Sequence, residues 1–96
     1  MKIDDALLTI KKTAGKYLHE KEYKLILFGS RVSGSYHPYS DLDIGIIGDH
    51  QVPLRVMAQI NDEFVTSNIP FRVDLVDLQQ TSDIFRTLAY KNARYL

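Results

Sequence analysis

Residues 25–47 read LILFGSRVSGSYHPYSDLDIGII, and this stretch decides the fold. An apolar run, Leu25-Ile26-Leu27-Phe28, ends in Gly29-Ser30. Ten residues later Asp41-Leu42-Asp43 opens a second apolar run, Ile44-Gly45-Ile46-Ile47. Short apolar runs bounded by glycine, serine and aspartate read as strands. Tyr23–Phe28 is predicted as strand one and Asp41–Ile47 as strand two. Ser30–Gly34 reads as a turn or a helical turn. Tyr36-His37-Pro38-Tyr39-Ser40 reads as loop, because Pro38 disfavours helix at His37.

Outward from this centre the periodicity changes. Ile3, Ala6, Leu7, Ile10, Ala14, Tyr17 and Leu18 recur at helical spacing, with Asp4 and Asp5 near the start. They predict a helix over about residues 3–20. Gly48–Pro53 reads as a turn. Leu54, Met57, Ile60, Phe64 and Val65 form a second helical stripe, ended near Asn68 and Pro70. Phe71–Val76 is strand-like. Thr81 or Ser82 caps a last helix that carries Ile84, Phe85, Leu88 and Ala89 on one face. The order α-β-β-α-β-α predicts an α+β domain, a small sheet with helices packed on it.

The chain has 96 residues, enough for a single domain over 1–96. A core is feasible at this length, but a deep enclosed substrate cleft is hard to build. Twelve basic and twelve acidic residues balance to a formal charge of zero, which gives no bulk electrostatic case for nucleic acid or membrane. Cysteine is absent, so disulfides and thiolate zinc sites are excluded. Acidic residues stand where a signal peptide has its apolar stretch, and no apolar run approaches the ~18 residues of a membrane helix. A cytoplasmic protein is expected.

Alternate residues of a strand share a face. Asp41 and Asp43 therefore point one way, and Leu42 and Ile44 point the other, into a helix-covered core. Val73 and Leu75 join that core if Asp74 faces away from it. If strands two and three are neighbours, Asp41, Asp43 and Asp74 converge on an open face. Carboxylates at close range raise one another's pKa, and a site that keeps them together usually holds cations. Oxygen-only ligation favours magnesium or manganese over zinc. Two such ions can clamp the attacking and leaving oxygens of a phosphoryl displacement. Gly29-Ser30 supplies a turn where backbone N–H groups approach a phosphate, with the Ser30 hydroxyl and Arg31 as further candidate donors. Each element has an ordinary reading alone: a solvated turn for Asp-x-Asp, a plain turn for Gly-Ser, a solvent-facing strand residue for Asp74. Their order, spacing and faces fit one site.

At these residues the chain resembles a minimal nucleotidyltransferase of the DNA polymerase beta superfamily. That family's pattern is Gly-Ser, ten residues, Asp-x-Asp and a later strand aspartate. Here these are Gly29, Ser30, Asp41, Asp43 and Asp74, within residues 24–77. The turn Gly29-Ser30-Arg31-Val32-Ser33-Gly34 is similar to the family's Gly-Ser-Arg-Ala-Arg-Gly, with Ser33 where a second arginine is usual. The resemblance implies a mixed sheet with helices on one face and the metal site on the other. It implies that Asp41, Asp43 and Asp74 hold two magnesium ions, and that Ser30 and the adjacent backbone hold the triphosphate of ATP. Chains of this size resemble the antitoxin half of modules whose toxin is a HEPN-domain ribonuclease. The implied reaction is transfer of AMP to a hydroxyl of that toxin, thought to be a tyrosine.

Two other readings compete with the enzyme: a non-catalytic nucleotide-binding antitoxin that acts by contact, and nucleotide transfer to a small molecule. A partner protein or a second copy is expected to complete the cleft. His19, His37 and His50 are too dispersed for a joint metal site. Tyr36 and Tyr39 are candidates to stack on the base. Asp77 is expected on the face opposite Asp74, in a loop or helix-approach role. Lys91–Leu96 reads as a partner contact or a terminal helix turn.

Overall fold

The computed structural model describes residues 1–34 and 40–96. Tyr36, His37 and Tyr39 lie outside the described residues. The elements are α1 (Ile3–Gly15), β1 (Tyr23–Phe28), α2 (Ser30–Ser33), β2 (Leu42–Gly48), α3 (Leu54–Thr66), β3 (Val73–Asp77), a 3-10 turn (Leu78–Gln80), α4 (Asp83–Tyr90) and β4 (Arg94–Tyr95). No helix among the described residues is long and apolar enough to cross a membrane.

The strands form one mixed sheet in the order β3-β2-β1-β4. β1 pairs antiparallel with β2 and with β4, while β2 and β3 are parallel. Parallel neighbours need a crossover, and α3 supplies it. One face of the sheet presents Leu27, Leu42, Ile44, Ile46 and Leu75. The helices α1 and α3 bury this face with Ala6, Leu7, Ile10, Ala14, Ile60 and Phe64. The two helices are also tied at their ends: Lys16 lies 2.7 Å from Glu63, and the Tyr17 hydroxyl donates to the same carboxylate.

The opposite face is partly covered as well. Ile26, Phe28, Leu78 and Ala89 form a second, smaller cluster, so α4 packs on the side away from α1 and α3. The two long helices share one face as expected; the fourth does not join them. Gly45 makes this possible. A Cβ there would meet the Leu78 side chain at 2.6 Å and Ile26 at 3.1 Å, so its missing side chain is what lets Leu78 seat on β2.

Several boundaries move. The first helix ends at Gly15 rather than near residue 20. The chain keeps turning through Leu18, whose N–H donates to Ala14 at 2.9 Å, so the helical spacing outlasts the helix. β2 starts at Leu42, leaving Asp41 just before it, and β3 spans Val73–Asp77 rather than Phe71–Val76. Ser82 caps α4 and accepts from the Phe85 N–H. The α4 stripe is only partly buried: Ala89 is inside, but Ile84 and Leu88 are exposed. The terminal segment is an edge strand rather than a helix turn. Asn92, at φ 61°, reverses the chain, and the Leu96 N–H donates to Leu25.

Candidate active site

β2 and β3 pair with Asp43 directly opposite Asp74. Neighbouring strands lie about 4.8 Å apart, so the two carboxylates start from adjacent backbone positions on one face. Asp41, just before the strand, is near enough for its charge to act on Asp43. Leu42 and Ile44, between and beyond them, are fully buried on the helix side. The antiparallel register also places Phe28, the last residue of β1, opposite Asp43. The chain leaves β1 through Gly29 there, so the turn and the carboxylates meet at one end of the sheet.

Gly29 holds φ 79°, in the region that side chains avoid. A Cβ at this position would collide with Asp43 Oδ2 and lie 3.2 Å from its Cγ. Glycine is therefore required twice over, for its backbone conformation and to leave room for the Asp43 carboxylate. α2 follows at once, and its Val32 and Ser33 N–H groups donate to the Gly29 carbonyl. Ser30 begins this single helical turn. The Arg31 guanidinium donates to the Ser40 carbonyl at 2.7 Å and lies 5.2 Å above the Phe71 ring. These contacts brace the entry to β2.

The electrostatics bear the mark of the clustering. Partial burial pushes the Asp43 carboxyl above its ordinary value, and the charges of Asp74 and Asp41 push it further. Asp74 is exposed. Arg72 approaches Asp41 at 4.0 Å, a loose surface ion pair. Among the described residues no group of three acidic or histidine side chains is gathered closely enough to hold a metal ion as it stands. The donor set is nonetheless oxygen-only, and the Asp43 carboxylate occupies a cradle that a Cβ at residue 29 would fill. These residues fit a hard divalent cation.

Asp77 lies on the helix side, opposite Asp74, and is buried. Its Oδ2 accepts from the Val52 N–H at 2.7 Å, and its Oδ1 accepts from the Gln79 N–H at 3.1 Å. It is a scaffold carboxylate, as its strand parity indicates. His19 and His50 are exposed in separate turns, and His37 lies outside the described residues. The sequence reading missed Arg72. The signal was available: Arg72 precedes Asp74 by two, so strand alternation puts it on the carboxylate face.

A family model described as polymerase beta, nucleotidyltransferase matches residues 9–96. A probable protein adenylyltransferase MntA of Haemophilus influenzae is 39% identical over 70 residues, covering 73% of this chain and 61% of the relative. The match thus spans less than two thirds of that relative's length. A crystal structure of a toxin-antitoxin with AMP-PNP superposes with a TM-score of 0.73 at 23% identity, over 92% of this chain and 69% of that one. A tri-AMPylated HEPN toxin of Shewanella oneidensis in complex with its MNT antitoxin gives 0.66 at 20% identity, over 92% and 66%. The two structural likenesses speak to the fold. The family model spans nearly the whole chain and includes every residue of the carboxylate face and its turn, and the chain belongs to the polymerase beta nucleotidyltransferase family.

Proposed function

We propose that this chain is the magnesium-dependent transferase of a toxin-antitoxin pair, moving AMP from ATP to a hydroxyl, a tyrosine, of a HEPN-domain toxin in the cytoplasm. The observation that carries this reading is Asp43, paired opposite Asp74 and seated against Gly29, in a chain 39% identical to a probable protein adenylyltransferase. The structural neighbour holding a tri-AMPylated HEPN toxin supports the acceptor class.

Asp41, Asp43 and Asp74 would hold the magnesium, which supplies charge neutralisation for the triphosphate and acidifies the acceptor hydroxyl. Gly29, lacking a side chain, lets the phosphates approach the backbone, and Ser30 adds its hydroxyl as donor. The acceptor oxygen bonds to the α-phosphorus as the bond to the bridging oxygen breaks. Pyrophosphate leaves, and Asp74, the exposed carboxylate, takes the hydroxyl proton. Positioning and charge neutralisation carry most of such a reaction, which suits an open face on a small scaffold.

The test is incubation with ATP, magnesium and a HEPN-domain partner, followed by intact mass. The expected result is one or more AMP units on the partner, lost with Asp43→Asn. Neutralisation of the toxin without any mass gain, and only at stoichiometric amounts, would favour action by contact instead. Transfer to neither partner nor any protein acceptor would point to a small-molecule substrate.

A further inference from the structure

A groove of about 910 Å³ lies far from the carboxylate face. It runs between the second half of α1, the turn that follows, and the edge formed by β1 and β4. Along β1 it sits at the Tyr23 end, whereas Asp43 pairs with Phe28 at the other. Tyr23 and Phe28 are five rises apart, roughly 17 Å at the usual spacing, and the groove reaches along the edge as far as Tyr95, which pairs with Ile26.

The groove has two chemistries. Its lining carries four lysines, Lys11, Lys12, Lys21 and Lys24, all exposed, with Glu20 the one acidic side chain. None of the four makes an ion pair among the described residues; the ion pairs found involve Lys16, Arg72, Arg86 and Arg94. The chain as a whole is formally neutral, so this is a local excess and not a share of a basic surface. Between the lysines the surface is apolar. Leu8 is 56% exposed and Tyr95 63%, beside the better-covered Leu18 and Leu25. Large apolar groups left in water beside a local excess of lysines mark a recognition surface better than scattered lysines do.

We propose that this groove docks an acidic segment of a protein partner, with apolar side chains seated over Leu8, Leu25 and Tyr95 and carboxylates facing the lysine rim. Charge complementarity selects the occupant: four unpaired cations favour an anionic ligand and raise its rate of encounter. The floor selects among anionic ligands. Apart from Tyr23 and Tyr95 it is aliphatic, which suits leucine-like anchors, whereas single-stranded nucleic acid relies on successive stacked aromatic platforms. A flat lipid surface does not enter a concave groove. The inference stands apart from the transferase reading, because the groove shares no residue with the carboxylate face. Occupancy leaves Asp41, Asp43 and Asp74 open.

The test is selection of a displayed random-peptide library on the immobilised full chain, with labelled copies of the enriched peptides then titrated in solution. Enriched peptides should combine glutamate or aspartate with leucine, isoleucine or an aromatic residue, and their affinity should fall as salt rises. The double variant Lys21→Glu/Lys24→Glu should weaken them by about tenfold or more. Lys21→Arg/Lys24→Arg should bind as the wild type does. Tyr95→Ser should weaken them at unchanged salt dependence. Both lysines are exposed, so circular dichroism should show the fold intact in all variants. Enrichment without an acidic bias, or equal binding by wild type and charge-reversed chain, overturns the proposal. So does tighter lysine-dependent binding of a uridine homopolymer or of phosphatidylserine vesicles than of any enriched peptide.

Discussion

Asp43 is where the chemistry and the stability of the site pull apart. Its folded-state pKa lies above the ordinary value through burial and through Asp74 and Asp41. The sign follows directly. The folded chain holds the Asp43 proton more tightly than the unfolded chain, so this group favours folding below the unfolded pKa. The advantage is lost as pH rises through the folded value. At neutral pH the ionised Asp43 therefore opposes folding. Asp43→Asn should leave the melting temperature unchanged or higher at pH 7 while abolishing nucleotide transfer. The difference between variant and wild type should shrink as pH falls into the carboxylate range; melting curves across pH check this. Gly29→Ala should act in the opposite sense. The Gly29 backbone, at φ 79° and ψ −147°, lies in a region almost reserved for glycine that costs a side-chain residue about 1–3 kcal/mol, and the new methyl collides with Asp43 Oδ2. Denaturant unfolding should show a loss of at least that size, together with loss of transfer activity.

At the scale of elements, the exit from β3 governs whether the site is assembled. Asp77 ends the strand, and one carboxylate gathers the Val52 and Gln79 N–H groups and the side-chain amides of Gln79 and Gln80. Val52 belongs to the turn that launches α3, so this residue ties the end of the β2–α3–β3 crossover to its beginning. Asp77→Ala leaves a buried N–H at Val52 without an acceptor. Such a group costs about 1–3 kcal/mol. The expected outcome is a stability loss of that order by urea titration, with magnesium-dependent nucleotide affinity retained in the fraction that remains folded. Asp74→Asn, on the opposite face of the same strand, should show the reverse pattern: stability retained and transfer lost. The pair separates a carboxylate that builds the strand exit from one that faces the chemistry.

Local charge at the whole-molecule scale departs from the formal total of zero in two places. Asp43 and Asp74 pair at one end of the sheet, and four lysines line the groove toward the other. A triphosphate is repelled by the bare carboxylate face, so nucleotide affinity should depend on divalent cation. Titration of ATP by calorimetry should give affinity at least about tenfold lower in chelator than with magnesium, a difference of about 1.4 kcal/mol or more. Equal affinity in the two conditions would remove magnesium from the account.

Much of this was written locally. Strand alternation is a two-residue property, so the shared face of Asp41 and Asp43, and the opposite faces of Asp74 and Asp77, follow from the chain alone. Helical spacing likewise located α1, α3 and α4, although Gly15 ended the first helix before its apolar pattern did. What tertiary structure decided are the matters of pairing. That β2 and β3 are neighbours, with Asp43 opposite Asp74, depends on a crossover that local periodicity does not encode. That Gly29 must lack a Cβ because Asp43 lies against it depends on two residues fourteen apart meeting at a strand end. The departure of α4 to the other face depends on Gly45 leaving space for Leu78. The return of residues 94 and 95 as an edge strand depends on β1 offering a free side. Sequence periodicity states which way a side chain points, and packing between distant segments states what it points at.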